Sequence, residues 1–212
     1  DPSDYQAHDE LGDFYLALKD ARQAEREYAE IVSKFPDNPL RYVKLARLYG
    51  AQGNYAAALA ELAKGYQRDE RSNELLAEMV RTHIAVGDAD AAMRLCRLRL
   101  ERNADDPFAL NLQGQIYARQ GKVKEAEGAL QRAADLAPQW VDPGNNLAAL
   151  YLQQNRKEEA VQKLEHALQR NPRNPAAYLA LGGIYEQSAQ YPKAIGIYEQ
   201  SLEKIPGFTK TA

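Results

Sequence analysis

The side chains of this chain that could do chemistry are few and scattered. Gly114, Gly121 and Lys122 have the residue types of a phosphate-cradling loop, in which glycine N–H groups and a lysine surround the anion. Their spacing departs from that loop, and Val123 stands where a Ser or Thr would be required. His8, His83 and His166 are the three histidines, and nothing in their spacing makes several ligands converge on a metal. No G-x-S-x-G, C-x-x-C or H-E-x-x-H run occurs. Cys96 is the single cysteine, so an intrachain disulfide is excluded and cysteine usage says nothing of the compartment. Arg94, Arg97, Arg99 and Arg102 crowd one stretch and offer either a basic contact patch or a solvated helix face balanced by Glu101, Asp105 and Asp106. The balanced face is the reading adopted. No catalytic residue, cofactor site or metal site is expected.

Composition narrows the class further. Apolar residues make up 45% and charged residues 27%, enough of each to bury a core and remain hydrated, which excludes a disordered chain. Ala and Leu dominate the apolar set, which favours helix over strand. A net charge of −3 gives nucleic acid little reason to bind, and no apolar run reaches bilayer length, so neither nucleic acid nor membrane insertion is expected.

What positions these side chains is a repeat of 34 residues, with starts at Tyr5, Pro39, Asn73, Pro107, Val141 and Pro175 and no gap. Position 20 is Ala24, Ala58, Ala92, Ala126, Ala160 and Ala194. Position 8 is Gly12, Ala46, Val80, Gly114, Ala148 and Gly182; position 11 is Tyr15, Tyr49, His83, Tyr117, Tyr151 and Tyr185. Positions 4, 7, 8 and 11 share one face of a first helix, and 20, 24, 27 and 28 share one face of a second. The spacing predicts helices near positions 2–14 and 18–31. Small residues at 8 and 20 let the two axes approach. Gly53, Gly87, Gly121 and then Asn155 stand at position 15, where a helix ends best on a left-handed residue. Pro192 falls in the first turn of a second helix, where its missing N–H is no loss. Cys96, at position 24, and His83, in a tyrosine column, read as packed residues.

The pattern resembles the tetratricopeptide repeat family over Tyr5 to Phe208. The resemblance implies an all-α chain, a right-handed α-α superhelical solenoid of tetratricopeptide helix pairs. First helices would line a concave groove through positions 2, 5, 6, 9, 12 and 13. In repeats 1 to 3 those positions include Asp9, Glu10, Asp13, Lys44, Arg47, Glu74, Glu78 and Arg81, a surface of mixed charge. Repeats 4 to 6 supply Phe108, Asn111, Leu112, Gln115, Asn145, Asn146, Ala149, Leu179 and Ala180, which combine amides with apolar surface. Asn suits an extended peptide because it pairs with both backbone N–H and C=O. The carboxylate clamp of chaperone-tail binders is not met, since Asn111, Gln115 and Asn146 are followed by Ala176 and Ala180. The position-6 asparagine ladder of O-GlcNAc transferases reduces here to Asn146 alone.

The function this implies is a protein-binding scaffold that docks a peptide or protein in the concave groove. The expected groove residues are Lys44, Arg47, Arg81, Phe108, Asn111, Leu112, Gln115, Asn145, Asn146 and Ala149. Two other roles fit the same repeats: a spacer or end-to-end self-assembling array, or the targeting arm of a larger protein. The alanine-rich regularity is similar to bacterial envelope and exopolysaccharide-assembly proteins, in cytoplasm or periplasm. One array is expected over residues 1–212, with repeats at 5–38, 39–72, 73–106, 107–140, 141–174 and 175–208, and a further repeat beginning at 209–212. Pro2, at position 32 of a preceding repeat, and that tail lead us to expect a piece of a longer array, with apolar stacking faces open to self-association.

Overall fold

The end of the first helix and the start of the second are set by the backbone at positions 15 and 16 in every repeat. Position 15 takes the left-handed conformation at Lys19, Gly53, Gly87, Gly121, Asn155 and Ala189, with φ between 55° and 81°. The N–H of position 16 then reaches back to the carbonyl of position 11, for instance Asn54 to Tyr49 at 2.8 Å and Lys122 to Tyr117 at 2.9 Å. This six-to-one bond closes the first helix. Position 16 next caps the second helix where its side chain allows. Asp20, Asn54 and Asp88 accept from the N–H three residues on at 3.2, 3.2 and 2.9 Å.

The structure, a computed structural model, describes residues 2–206, and the described residues form twelve α-helices. They are α1 (Pro2–Ala17), α2 (Ala21–Lys34), α3 (Arg41–Ala51), α4 (Tyr55–Arg68), α5 (Asn73–Ala85) and α6 (Ala89–Arg102). Then follow α7 (Pro107–Arg119), α8 (Val123–Leu136), α9 (Asp142–Gln153), α10 (Lys157–Arg170), α11 (Pro175–Gln187) and α12 (Tyr191–Lys204). Every second helix runs from position 17 to 30, one residue earlier than expected, because in all six repeats the carbonyl of position 16 already accepts from the N–H of position 20. Pro2 opens α1 and does not stand in a loop. The expected further repeat at Thr209 to Ala212 lies outside the described residues.

The chain divides into two compact units, Asp1–Cys96 and Arg97–Ala212, the division falling within α6. In the first unit Ala24, Tyr28, Ile31, Leu45 and Leu48 form one buried cluster, and Val43, Ala46, Ala58, Leu62, Leu75 and Met79 another. In the second, one cluster runs from Ala126 and Leu130 through Leu147, Ala148 and Leu164 to Leu181. The position-20 alanines are between 0% and 3% exposed in all six repeats.

Within a pair, positions 8 and 24 trade volume. A Cβ built on Gly12 would enter the ring of Tyr28, 2.9 Å from both Cδ1 and Cζ. One on Gly114 would lie 2.5 Å from Cγ of Leu130, and one on Gly182 would meet the ring of Tyr198. Where position 24 is Leu62 or Leu164, position 8 is Ala46 or Ala148; where it is the small Cys96, position 8 is Val80. Close packing makes the two positions compensate, with leucine at position 24 found opposite both alanine and Gly114.

Candidate functional site

Charged first-helix residues in the first unit are consumed by one another. Lys44 Nζ pairs with Asp9 at 2.7 Å and Asp13 at 2.9 Å. Arg47 Nε donates to Glu78 at 2.7 Å and its Nη2 to Glu74 at 3.1 Å, while Arg81 Nη1 donates to the same Glu78 at 2.7 Å. Glu78 is buried, so its two guanidinium partners are what make that carboxylate tolerable there. Burial pushes Asp13 up, but the Tyr28 hydroxyl, donating at 2.6 Å, and Lys44 outweigh it and hold the carboxyl below its usual value. Burial likewise lowers Lys44, and Asp9 and Asp13 reverse this, so the ammonium sits above its ordinary value. The expected groove residues Lys44, Arg47 and Arg81 are thus each engaged in a pair.

In the second unit the amides are spread over three first helices. Asn111 on α7 is 4% exposed, and its Oδ1 accepts from Asn146 Nδ2 on α9 at 2.8 Å. Leu112 is also buried. Asn145 Oδ1 accepts from Asn174 Nδ2 at 3.2 Å, and Asn174 itself caps α11 through Ala177 N–H at 3.3 Å. Asn111 and Asn145 therefore brace neighbouring repeats. Left on the surface are Gln115 and Asn146, half-buried, and Ala149, exposed. Gln115 makes no hydrogen bond among the described residues.

Phe108, half-buried at the start of α7, stacks on Trp140 with ring centroids 5.6 Å apart and planes at 15°. Trp140 Nε1 donates to Asp142 Oδ2 at 3.0 Å, which fixes the indole. The sequence reading passed over Trp140. Its signal was positional: column 34 holds the helix caps Ser72, Asp106 and Asn174, the turn residue Asn38, and a tryptophan. Lacking that cap, α9 starts one residue later than α7 and α11, at Asp142.

Other singled-out residues have structural work. Arg99 Nε donates to Asp106 Oδ2 at 2.8 Å, and Asp106 caps α7 at Phe108 and Ala109 N–H. Asp105 pairs at 2.6 Å with Arg132 of α8, not with the arginines of α6 it was expected to balance. Cys96 is fully buried, as its packing column implies. Burial holds His83 below the usual imidazole value. His8 Nδ1 lies 2.6 Å from Glu27 Oε2. His166 lines a cleft between α8 and α10. Among the described residues no group of three or more His, Cys, Asp or Glu is placed to hold a metal, and no helix is long and apolar enough to cross a membrane.

Comparison with known proteins places this architecture. The chain is 25% identical over 215 residues to human protein O-mannosyl-transferase TMTC1, covering 92% of this chain and 23% of that protein. It is 22% identical over 203 residues to anaphase-promoting complex subunit CDC16 of Saccharomyces cerevisiae, covering 91% of this chain and 24% of the relative. The chain thus spans about a quarter of the length of these curated relatives. Yeast Tom70 shares the fold, with a TM-score of 0.74 at 16% identity over 87% of this chain and 40% of that one. Models of the tetratricopeptide repeat match residues 6–38, 50–116, 107–140 and 145–207. With helix pairs recurring every 34 residues and a left-handed residue closing each first helix, the chain belongs to the tetratricopeptide repeat family.

Proposed function

We propose that the chain is a protein-interaction scaffold that docks an extended segment of a partner along α7 and α9. The observation that carries this is the free amide of Gln115 on α7, in a surface bounded by Phe108, Asn146 and Ala149. Asn146 spends its N–H on Asn111 and keeps its carbonyl for a ligand. A partner backbone would find one amide able to donate and accept and a second able to accept. Phe108, backed by Trp140, supplies the aromatic anchor around which binding energy concentrates. CDC16 is by its name a subunit of a multi-protein complex, which supports a scaffold role for this fold. The charged residues of the first unit contribute less, since a paired charge must lose its partner before serving a ligand.

The test is site-specific photo-crosslinking from the intact protein in its own cells. A crosslinker at Ala149 should capture a discrete partner, and one at Gln67, exposed on α4, should not. Capture from Gln67 alone would refute the assignment. Mass spectrometry of the captured species also separates a free scaffold from the targeting arm of a larger enzyme, because the latter captures that enzyme's substrate.

Exposed apolar side chains on α1 favour a second reading, end-to-end assembly. Leu11, Phe14 and Leu18 are 38%, 58% and 61% exposed, although Leu45, Leu147 and Leu181, in the same column as Leu11, are buried.

A further inference from the structure

Between α8 and α10 lies a cleft of about 260 Å³ that the α7–α9 surface does not use. Its floor is apolar, formed by Trp140, Val141, Leu147 and Ala167. One wall is α10, where Lys163, His166 and Arg170 stand three and four residues apart and so share a helix face. The opposite wall is α8, with Gln131 and Asp135 one turn apart. Gln131 ties the walls together: its Nε2 donates to Asp135 Oδ1 at 2.8 Å and its Oε1 accepts from Lys163 Nζ at 2.7 Å. His166 and Arg170 make no hydrogen bond or ion pair among the described residues. In a chain whose net charge is −3, two permanent cations here face one carboxylate.

We propose that this cleft takes an acidic peptide segment of a protein partner, seating an apolar side chain on Trp140 and Val141 and flanking carboxylates on Lys163 and Arg170. Each wall argues for this class. An inorganic anion makes no use of the apolar floor, and a neutral apolar ligand makes none of the cationic wall. Nucleic acid would meet Asp135 and a net-acidic protein. The second oxygen of Asp135 accepts a backbone N–H of the segment, and the cations set its direction and register. The proposal does not depend on the α7–α9 reading: Trp140 belongs to both surfaces, but the cations and the carboxylate it uses lie on α8 and α10, and amide shifts separate the two.

Trp140 is the sole tryptophan, so intrinsic fluorescence reports on this cleft. The 212-residue chain is titrated with acetyl-Glu-Leu-Glu-amide and with its Gln-Leu-Gln and Glu-Ser-Glu counterparts. We expect a saturable change with the first peptide and binding weaker by about tenfold or more with the other two. The Lys163→Gln/Arg170→Gln variant should lose the preference, while Lys124→Gln/Arg173→Gln, which removes equal charge elsewhere, should bind as the wild type does. Amide shifts in ¹⁵N-labelled protein, read alongside, should cluster on α8 and α10. The proposal is overturned if no peptide gives a saturable response, if the glutamine peptide binds equally, if both charge variants weaken binding alike, or if the shifts fall on α7 around Gln115 and leave α8 and α10 unmoved.

Discussion

Replacing Gly12 by Ala sets two effects of opposite sign against each other. In a helix interior the exchange stabilises by about 1 kcal/mol through propensity alone. At Gly12 the new methyl would enter the ring of Tyr28, which is 1% exposed and held by its hydrogen bond to Asp13 at 2.6 Å. The ring cannot turn aside, so overpacking of about 1–3 kcal/mol applies and should win. Gly128, in α8, has nothing within 4 Å of an added Cβ and provides the control. Urea denaturation followed by circular dichroism should show Gly128→Ala stabilised by roughly 0.5–1 kcal/mol and Gly12→Ala destabilised by about 1–2 kcal/mol net. The deciding measurement is the same replacement in a Tyr28→Leu background, which recreates the Ala46 and Leu62 pairing of repeat 2. There the methyl fills space the ring has left, and the effect should change sign, a coupling of about 1–3 kcal/mol. If Gly12→Ala has one sign in both backgrounds, the volume trade between positions 8 and 24 is not what selects glycine.

Three further outcomes are expected. Ala189→Gly and Lys19→Gly should each stabilise by about 1 kcal/mol, since both native residues hold positive φ of 55° and 61°; an unchanged melt would show that neighbours favour that backbone whatever the residue. Burial and the Glu127 carboxylate push Tyr151 up to about 12, and burial with Glu25 does the same for Tyr49, so their contribution is complete below the ordinary phenol value of 10.0 and lost as pH rises toward 12. The stability difference between wild type and Tyr151→Phe should therefore shrink over that interval, and a constant difference would exclude the linkage. Sedimentation should show concentration-dependent association that Leu11→Glu/Phe14→Glu abolishes; a clean monomer at high concentration removes the self-assembly reading.

Sequence alone determined what recurs. A 34-residue period, the alanines of position 20, the tyrosines of position 11 and the glycines of position 15 follow from constraints met in every pair, namely axis separation, space between pairs and helix termination. Such constraints act through neighbours three and four residues apart or through one repeating contact, so each leaves a column. It misled by one residue at the second helices, where the carbonyl of position 16 accepts its helical bond sooner than the apolar pattern suggests. Tertiary structure decided what happens once. Lys19 and Ala189 take a left-handed conformation that their residue types disfavour, because the connection between helices has the same length in every repeat. Whether Asn111 faces a ligand or Asn146, whether Arg47 is free or spent on Glu78, and whether Trp140 meets Phe108 all depend on distances between side chains of different repeats. A hydrogen bond or ion pair fails within an ångström of misplacement, and no residue column carries that information.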